Sequence, residues 1–326
     1  MGLEEKILKI LRAAIKLEAE AYLYYYNSLK EANLPEVRAL FIQLAEEEKK
    51  HQRILFQEYK YLKKSLLGKG EERYGGKKIS YRLPDDVSRI LWKAIPKIEG
   101  IDISGFILPS QFFGGDFFEC YPLKETHSSR SAFALIFYDV MGHGLDISLV
   151  KSLFRSTFED LGDNLIFDDL PEPAEMMTNL NKRYFKLPDA SGFLVSASYG
   201  KYSPAKGTLK YSVAGVEPPV LFRSADGEHE LLMATDYCIG IEEKKEYVDR
   251  EVSIKAGDLL FFYTDGLTEA ESSDGDPYGK ERAIAIIKKN REKSSKEILI
   301  EIVKDLKDFL KEKMLSDEMS LLLIRF

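Results

Sequence analysis

Four aspartates of this 326-residue chain stand beside glycines or at the ends of apolar runs. Asp139 closes the run Ala132 to Phe137 and leads into Val140-Met141-Gly142-His143-Gly144. An unbroken apolar run predicts a strand buried on both faces, with Asp139 at its C-terminal end beside a glycine-loosened loop. Asp116 follows Gly114-Gly115, Asp265 lies between the run Leu259 to Thr264 and Gly266, and Asp317 precedes a last apolar run, Met319 to Phe326. Four strand-end carboxylates can converge on one site. Gathered together they repel one another and resist desolvation, so the cluster calls for hard divalent cations, Mg2+ or Mn2+, held through oxygen. Two such ions about 3.5 to 4 Å apart can share an activated water and clamp phosphoryl oxygens, which points to hydrolysis of a phosphate ester. Singly, each aspartate says less. Asp-Gly is a common turn pair, and Asp274-Gly275 is read as a loop.

Phe113-Gly114-Gly115-Asp116-Phe117-Phe118, Asp139-Val140-Met141-Gly142-His143-Gly144, Tyr263-Thr264-Asp265-Gly266-Leu267-Thr268-Glu269 and Ser316-Asp317-Glu318-Met319-Ser320 occur in that order. Over roughly residues 98 to 326 the chain thereby resembles the PPM-type Ser/Thr phosphatases, most nearly their bacterial SpoIIE/RsbU branch. The resemblance implies an α/β/β/α sandwich with metals at one end between the sheets, and catalysis resting on Asp139 and Asp116. By it, Asp139 bridges two Mn2+ or Mg2+ ions, the Val140 carbonyl helps one, Asp265 and Asp317 complete the dinuclear site, and Asp116 holds the second metal. It also implies a small phosphorylated regulator as substrate, such as an anti-anti-sigma (STAS-domain) protein. His143 is open between proton transfer to the leaving oxygen and an ordinary loop role. Three departures stand out. Gln111-Phe112-Phe113 lacks the phosphate-binding arginine of larger relatives, Glu217 replaces the histidine of the usual Gly-His-Pro-Pro turn, and Asp317-Glu318 replaces Asp-Asp or Asp-Asn.

Residues 1–66 carry a different pattern: two long amphipathic stretches joined at Asn33-Leu34-Pro35, a helix stop with Pro near the next helix start. They predict a helical hairpin. The first stripe runs Ile7, Leu11, Ala14, Glu18, Ala21, Tyr25, and the second Val37, Phe41, Leu44, Glu48, His51, Leu55. Glu18, Glu48 and His51 therefore fall on buried stripes, where polar groups need a partner or a metal. Glu on one helix and Glu-x-x-His on the next is half of a di-iron carboxylate ligand set. These segments resemble the rubrerythrin/ferritin-like family in spacing. A complete site would take two chains, giving a homodimer whose four-helix bundle shares Glu18, Glu48 and His51 from each. An edge salt bridge between Glu48 and His51 is the plainer alternative. The family's second hairpin and a rubredoxin-like cysteine set are absent from the sequence, so the resemblance favours metal or redox sensing over peroxidase chemistry.

A hydrophobic fraction of 44% and a charged fraction of 31% describe an ordinary globular protein. The net charge of −7 argues against non-specific nucleic-acid binding and gives no support for an anionic membrane partner. No apolar run approaches spanning length, the acidic start is not a signal peptide, and the two cysteines, Cys120 and Cys238, form no CxxC, so a reducing cytoplasm is the expected setting. Residues 67–97 hold a Gly/Lys-rich linker and, after Pro84, a short helix to about Pro96 that either couples the two parts or packs on the sheet, with Trp92 as a junction contact. From Ile101 on, strands grouped with strands and helices with helices predict an α+β domain, residues 98–326. The expected whole is a metal-dependent Ser/Thr protein phosphatase regulated by the hairpin. The alternative is a ferroxidase- or peroxidase-like di-iron protein with a regulatory or inactive phosphatase fold.

Overall fold

The computed structural model describes residues 3–32, 34–45, 47, 48, 51, 55, 59, 83, 90, 92–108, 115–124, 131–141, 154, 156, 170–186, 193–233, 236–315 and 317–326. Among them, ten strands form two antiparallel five-stranded sheets. The first is ordered β1 (Asp102–Leu108), β10 (Met319–Arg325), β9 (Leu259–Tyr263), β6 (Val220–Phe222), β7 (His229–Leu231). The second is ordered β2 (Phe117–Leu123), β3 (Ala132–Met141), β4 (Leu194–Ser203), β5 (Thr208–Ala214), β8 (Arg250–Ser253).

Alternation along the strands builds the layers. Phe133, Leu135 and Phe137 of β3 pack between the sheets with Phe118, Leu260, Phe262, Leu322 and Ile324. The intervening Ala134, Ile136 and Tyr138 face the other way, onto Met176, Met177 and Leu180 of α2 (Pro173–Tyr184). Phe261, Tyr263, Leu321 and Leu323 point outward from the first sheet onto α5 (Ser295–Leu310) and α4 (Lys280–Lys289). Helix–sheet–sheet–helix layering thus follows from central strands, such as β3 over Ala132 to Phe137 and β9, that are apolar on both faces. The N-terminus of α5 is fixed twice: Ser294 and Glu297 form a reciprocal capping box, and Asp102 of β1 accepts from both the backbone and hydroxyl of Ser295 at 2.7 Å.

Three expectations are corrected. β3 continues through Met141, so Asp139 is inside the paired strand, opposite Ser196, rather than at its end. Residues 92–97 are not helical; Trp92 forms an isolated bridge with Phe106 and meets its ring edge-on at 5.3 Å, on the core of the first sheet. Pro96 disfavours helix in the residue before it, and the aromatic contact takes the chain onto the sheet. Residues 84–89 and 91 of that expected helix lie outside the described residues, as does the linker before it, 67–78. The third correction is two short strands, β7 and β8, where none was expected.

At the N-terminus, α1 (Leu3–Glu31) is followed by a helical run over 35–45 with Pro35 at its start. Tyr25 and Phe41 stack across the pair at 6.4 Å, and the Arg38 guanidinium donates to the Leu29 carbonyl at 3.0 Å, tying the second helix to the end of the first. The other side of α1 meets the sheets: Ile15 is buried with Tyr59, Leu194 of β4 and Cys238.

Candidate active site and metal centres

The sheet ends bring the carboxylates together through two glycine contacts. The Val140 amide donates to the Gly115 carbonyl at 3.2 Å, and a Cβ on Gly115 would lie 2.1 Å from the Val140 oxygen and 2.6 Å from Asp139 Oδ1. Only glycine lets the Asp116 segment approach β3 so closely. Likewise a Cβ on Gly266 would lie 1.9 Å from the Glu318 carbonyl, so the Asp265 turn and the segment before β10 touch backbone to backbone. Asp265 opens a short helix, α3 (Asp265–Thr268), directly after β9.

Asp116 is only 2% exposed and is held from the opposite sheet. Thr264 Oγ1 donates to Asp116 Oδ2 at 2.9 Å while accepting from the Ser320 amide at 2.9 Å. The Asp116 amide donates to Glu318 Oε2 at 2.8 Å, and the Glu318 amide to Asp317 Oδ1 at 2.8 Å. Burial first, then the charges of Asp139, Glu318 and Asp265, hold the Asp116 carboxyl well above the usual carboxylate range. That reach places Asp116, Asp139, Asp265 and Glu318 in one field, with Asp317 adjoining Glu318. Burial first, and then the charge of Asp139, push the neighbouring Cys238 thiol up to about 12.

The donor set fits hard cations. Carboxylates and the Val140 carbonyl supply only oxygen, and buried negative charge in excess of any cation described at the site is what a divalent ion relieves. Glu318 and Thr264 were missed as site residues from sequence. Their signals were a buried-run carboxylate beside Asp317 and a hydroxyl directly before Asp265-Gly266. His143, Gly142, Gly144 and Gly114 lie outside the described residues.

The hairpin carries a second cluster. Glu18, Glu48 and His51 each offer a ligand atom within 4.8 Å of the others. His51 Nδ1 is 3.2 Å from Glu48 Oε2 and 3.8 Å from Glu18 Oε2. The hydrogen bond between the two carboxyls raises Glu18 and lowers Glu48 from the usual range. The expectation of full burial is corrected: the His51 side chain is 55% exposed. A single hairpin covers only one side of its own stripe.

Residues 129–326, well over half of the chain, match the family model described as Stage II sporulation protein E (SpoIIE). The chain belongs to the SpoIIE family. Residues 9–79 match the rubrerythrin family model. Among relatives of this SpoIIE-family chain is phosphoserine phosphatase RsbU of Bacillus subtilis (strain 168), 26% identical over 186 residues, covering 57% of this chain and 52% of RsbU. The chain therefore spans about half the length of that curated relative. The SiaA-PP2C domain of Pseudomonas aeruginosa shares the fold with a TM-score of 0.57 at 21% identity, covering 68% of this chain and 85% of the domain. The RsbU and RsbW domains of Rv1364c from Mycobacterium tuberculosis give 0.56 at 20% identity, covering 71% and 61%. Among the described residues, no helix is long and apolar enough to cross a membrane.

Proposed function

We propose that the SpoIIE-type part, residues 98–326, is a Mg2+- or Mn2+-dependent phosphatase for phosphoserine or phosphothreonine on a regulatory protein. The observation that carries this reading is Asp116: a buried carboxyl, gripped from the opposite sheet by Thr264 and Glu318, inside the field of Asp139 and Asp265. Asp139, the Val140 carbonyl, Asp265, Asp317 and Asp116 would hold two ions. When bound, these ions supply charge neutralisation for the phosphoryl oxygens and an acidified water. The chain's own residues contribute rigidity. Gly115 and Gly266 set the backbone approach, and the Thr264 and Glu318 hydrogen bonds fix Asp116 before any ion arrives. RsbU's description as a phosphoserine phosphatase supports the substrate class, and a phosphorylated STAS-domain regulator is the proposed substrate.

Residues 1–66 are proposed as a dimerising metal or redox sensor, joined through 67–97. A second copy would complete the Glu18/Glu48/His51 half-site, most simply with iron, as a four-helix bundle. Two features support a partner on this flank: the exposed His51, and an apolar row, Ile10, Leu17 and Tyr24, spaced by seven and exposed by 66%, 65% and 69%. Both cysteines described are free and buried, in keeping with a cytoplasmic setting.

The test is metal content and hydrolysis of p-nitrophenyl phosphate and of a phosphorylated STAS-domain protein by wild type, Asp139→Asn and Glu48→Ala/His51→Ala. Turnover should need Mn2+ or Mg2+ and vanish in Asp139→Asn; the hairpin variant should lose iron and change turnover. Rapid Fe2+ oxidation lost in Glu48→Ala, with no phosphatase turnover, would instead favour the ferroxidase reading that the Glu18/Glu48/His51 cluster also supports.

A further inference from the structure

The contact between the two parts lies at Leu194 on β4, the strand paired with the one that carries Asp139 and Val140. Ile15, one turn before Glu18 on α1, is fully buried against Leu194 and Cys238. Lys16, beside it, places its ammonium 2.5 Å from Glu242 Oε2 and 5.3 Å from the centre of the Tyr237 ring; the Tyr237 hydroxyl donates to the same carboxylate. Farther along the same face, the Tyr22 hydroxyl reaches Met233 Sδ at 3.5 Å. The receiving loop is stiff. Asn181 of α2 donates to the Glu242 carbonyl at 2.8 Å and accepts from the Gly240 amide at 3.1 Å, and Gly240, at φ +95°, sits against the Phe193 carbonyl. Ile239 then bonds Val195 in both directions, at 3.0 and 2.9 Å. In the sheet, Leu194 pairs with Met141, Val195 with Val140 and Ser196 with Asp139.

We propose that this face of α1, centred on Ile15 and Lys16, is the docking element through which the hairpin positions β3, so that a change at Glu18/Glu48/His51 is felt at Asp139 and Val140. The surface made by Leu194, Tyr237, Cys238 and Glu242 is its receptor, and its partner is the chain's own hairpin. The link is short. Ile15 and Glu18 are successive-turn neighbours on one helix, so a tilt that re-forms the metal cluster must move Ile15 against Leu194. In the β3–β4 register Leu194 lies directly opposite Met141, Val195 opposite Val140 and Ser196 opposite Asp139, so a shift of Leu194 is one strand away from both ligands. Such coupling needs an element whose arrangement both sites bias, and α1 touches both. The functional consequence rests on Asp139 and Val140 being the phosphatase ligands proposed above; the docking itself does not.

The experiment compares the full-length chain with Lys16→Glu, Glu242→Lys, the double charge swap and Ile15→Asn. Amide exchange is followed over residues 8–22 and 135–141, with Mn2+ affinity by calorimetry and p-nitrophenyl phosphate turnover alongside. Each single reversal should speed exchange in both segments and weaken Mn2+ binding about five-fold, and the swap should restore both. Exchange in 8–22 that rises while 135–141 and Mn2+ affinity stay at wild-type values would overturn the proposal, as would no response in either segment. Should Ile15→Asn not fold, the charge pair and its swap decide alone. Coupled exchange in a protein that never turns over substrate would keep the docking and remove the phosphatase reading.

Discussion

Asp116 shows what a single residue gives up for a site. A buried carboxyl beside three others is held above its ordinary range, first by burial and then by Asp139. With its folded value above the unfolded value of about 3.9, Asp116 contributes stability that is fully present below that pH and lost as pH rises through the folded value. In chelator, Asp116→Asn should therefore melt above wild type at neutral pH, with the gap closing towards pH 4, while Mn2+ should raise the melting temperature of wild type far more than that of the variant. Differential scanning calorimetry across pH, with and without Mn2+, checks this; a variant that melts below wild type in chelator at pH 7 would refute it. Thr264 is a different case, since its hydroxyl both donates to Asp116 and accepts from Ser320. Thr264→Val should weaken Mn2+ binding about ten-fold by freeing a ligand, and strand a buried amide at a cost of about 1–3 kcal/mol. Thr264→Ser should restore both, as read by titration calorimetry and chemical denaturation.

The elements differ in how openly the sequence announces them. β3 was legible because six apolar residues in a row leave no polar face, and the last apolar run, Met319 to Phe326, matches β10 to within one residue. The extra two residues of β3 were not. Asp139 looks like a strand end, but its pairing with Ser196 comes from β4, not from local preference. β7 and β8 are short and partly exposed, so their sequences carry no burial pattern to read. The hairpin helices were legible from their stripes, yet the side of α1 that docks was not. Its contacts use Lys16 and Tyr22, polar residues that a periodicity reading assigns to solvent. The aspartates were recognisable by their glycines, whereas Glu318 and Thr264 act across the two sheets, a relation no spacing encodes. The glycine at the α3 turn offers an element-scale test. Gly266→Ala must push the Glu318 carbonyl away from a Cβ at 1.9 Å, which should cost about 3 kcal/mol in urea unfolding and abolish Mn2+ binding together. Loss of neither would mean that the two segments part freely.

At the scale of the whole molecule the question is what holds two copies together, and magnitudes decide it. Ile10, Leu17 and Tyr24 are each about two-thirds exposed. Burying that row on both protomers would yield roughly 10 kcal/mol gross at 1.5–3 kcal/mol per fully buried side chain. Association itself costs about 4–15 kcal/mol, so the apolar row alone leaves dimerisation marginal. Metal shared between two Glu18/Glu48/His51 half-sites would tip the balance, and by linkage metal affinity would rise with protein concentration. Metal also competes with protonation of Glu18, which its hydrogen bond with Glu48 raises, so binding should tighten as pH rises through the Glu18 range. Sedimentation velocity at micromolar protein should then show monomer in chelator and dimer with anaerobic Fe2+ or Mn2+. Leu17→Glu should stay monomeric and lose hairpin metal while keeping Mn2+ at the Asp139 site. A tight dimer in chelator would make the apolar row sufficient and the metal incidental. A monomer with full hairpin metal would instead mean that Glu18, Glu48 and His51 close their own site, and the sensor would work within one chain.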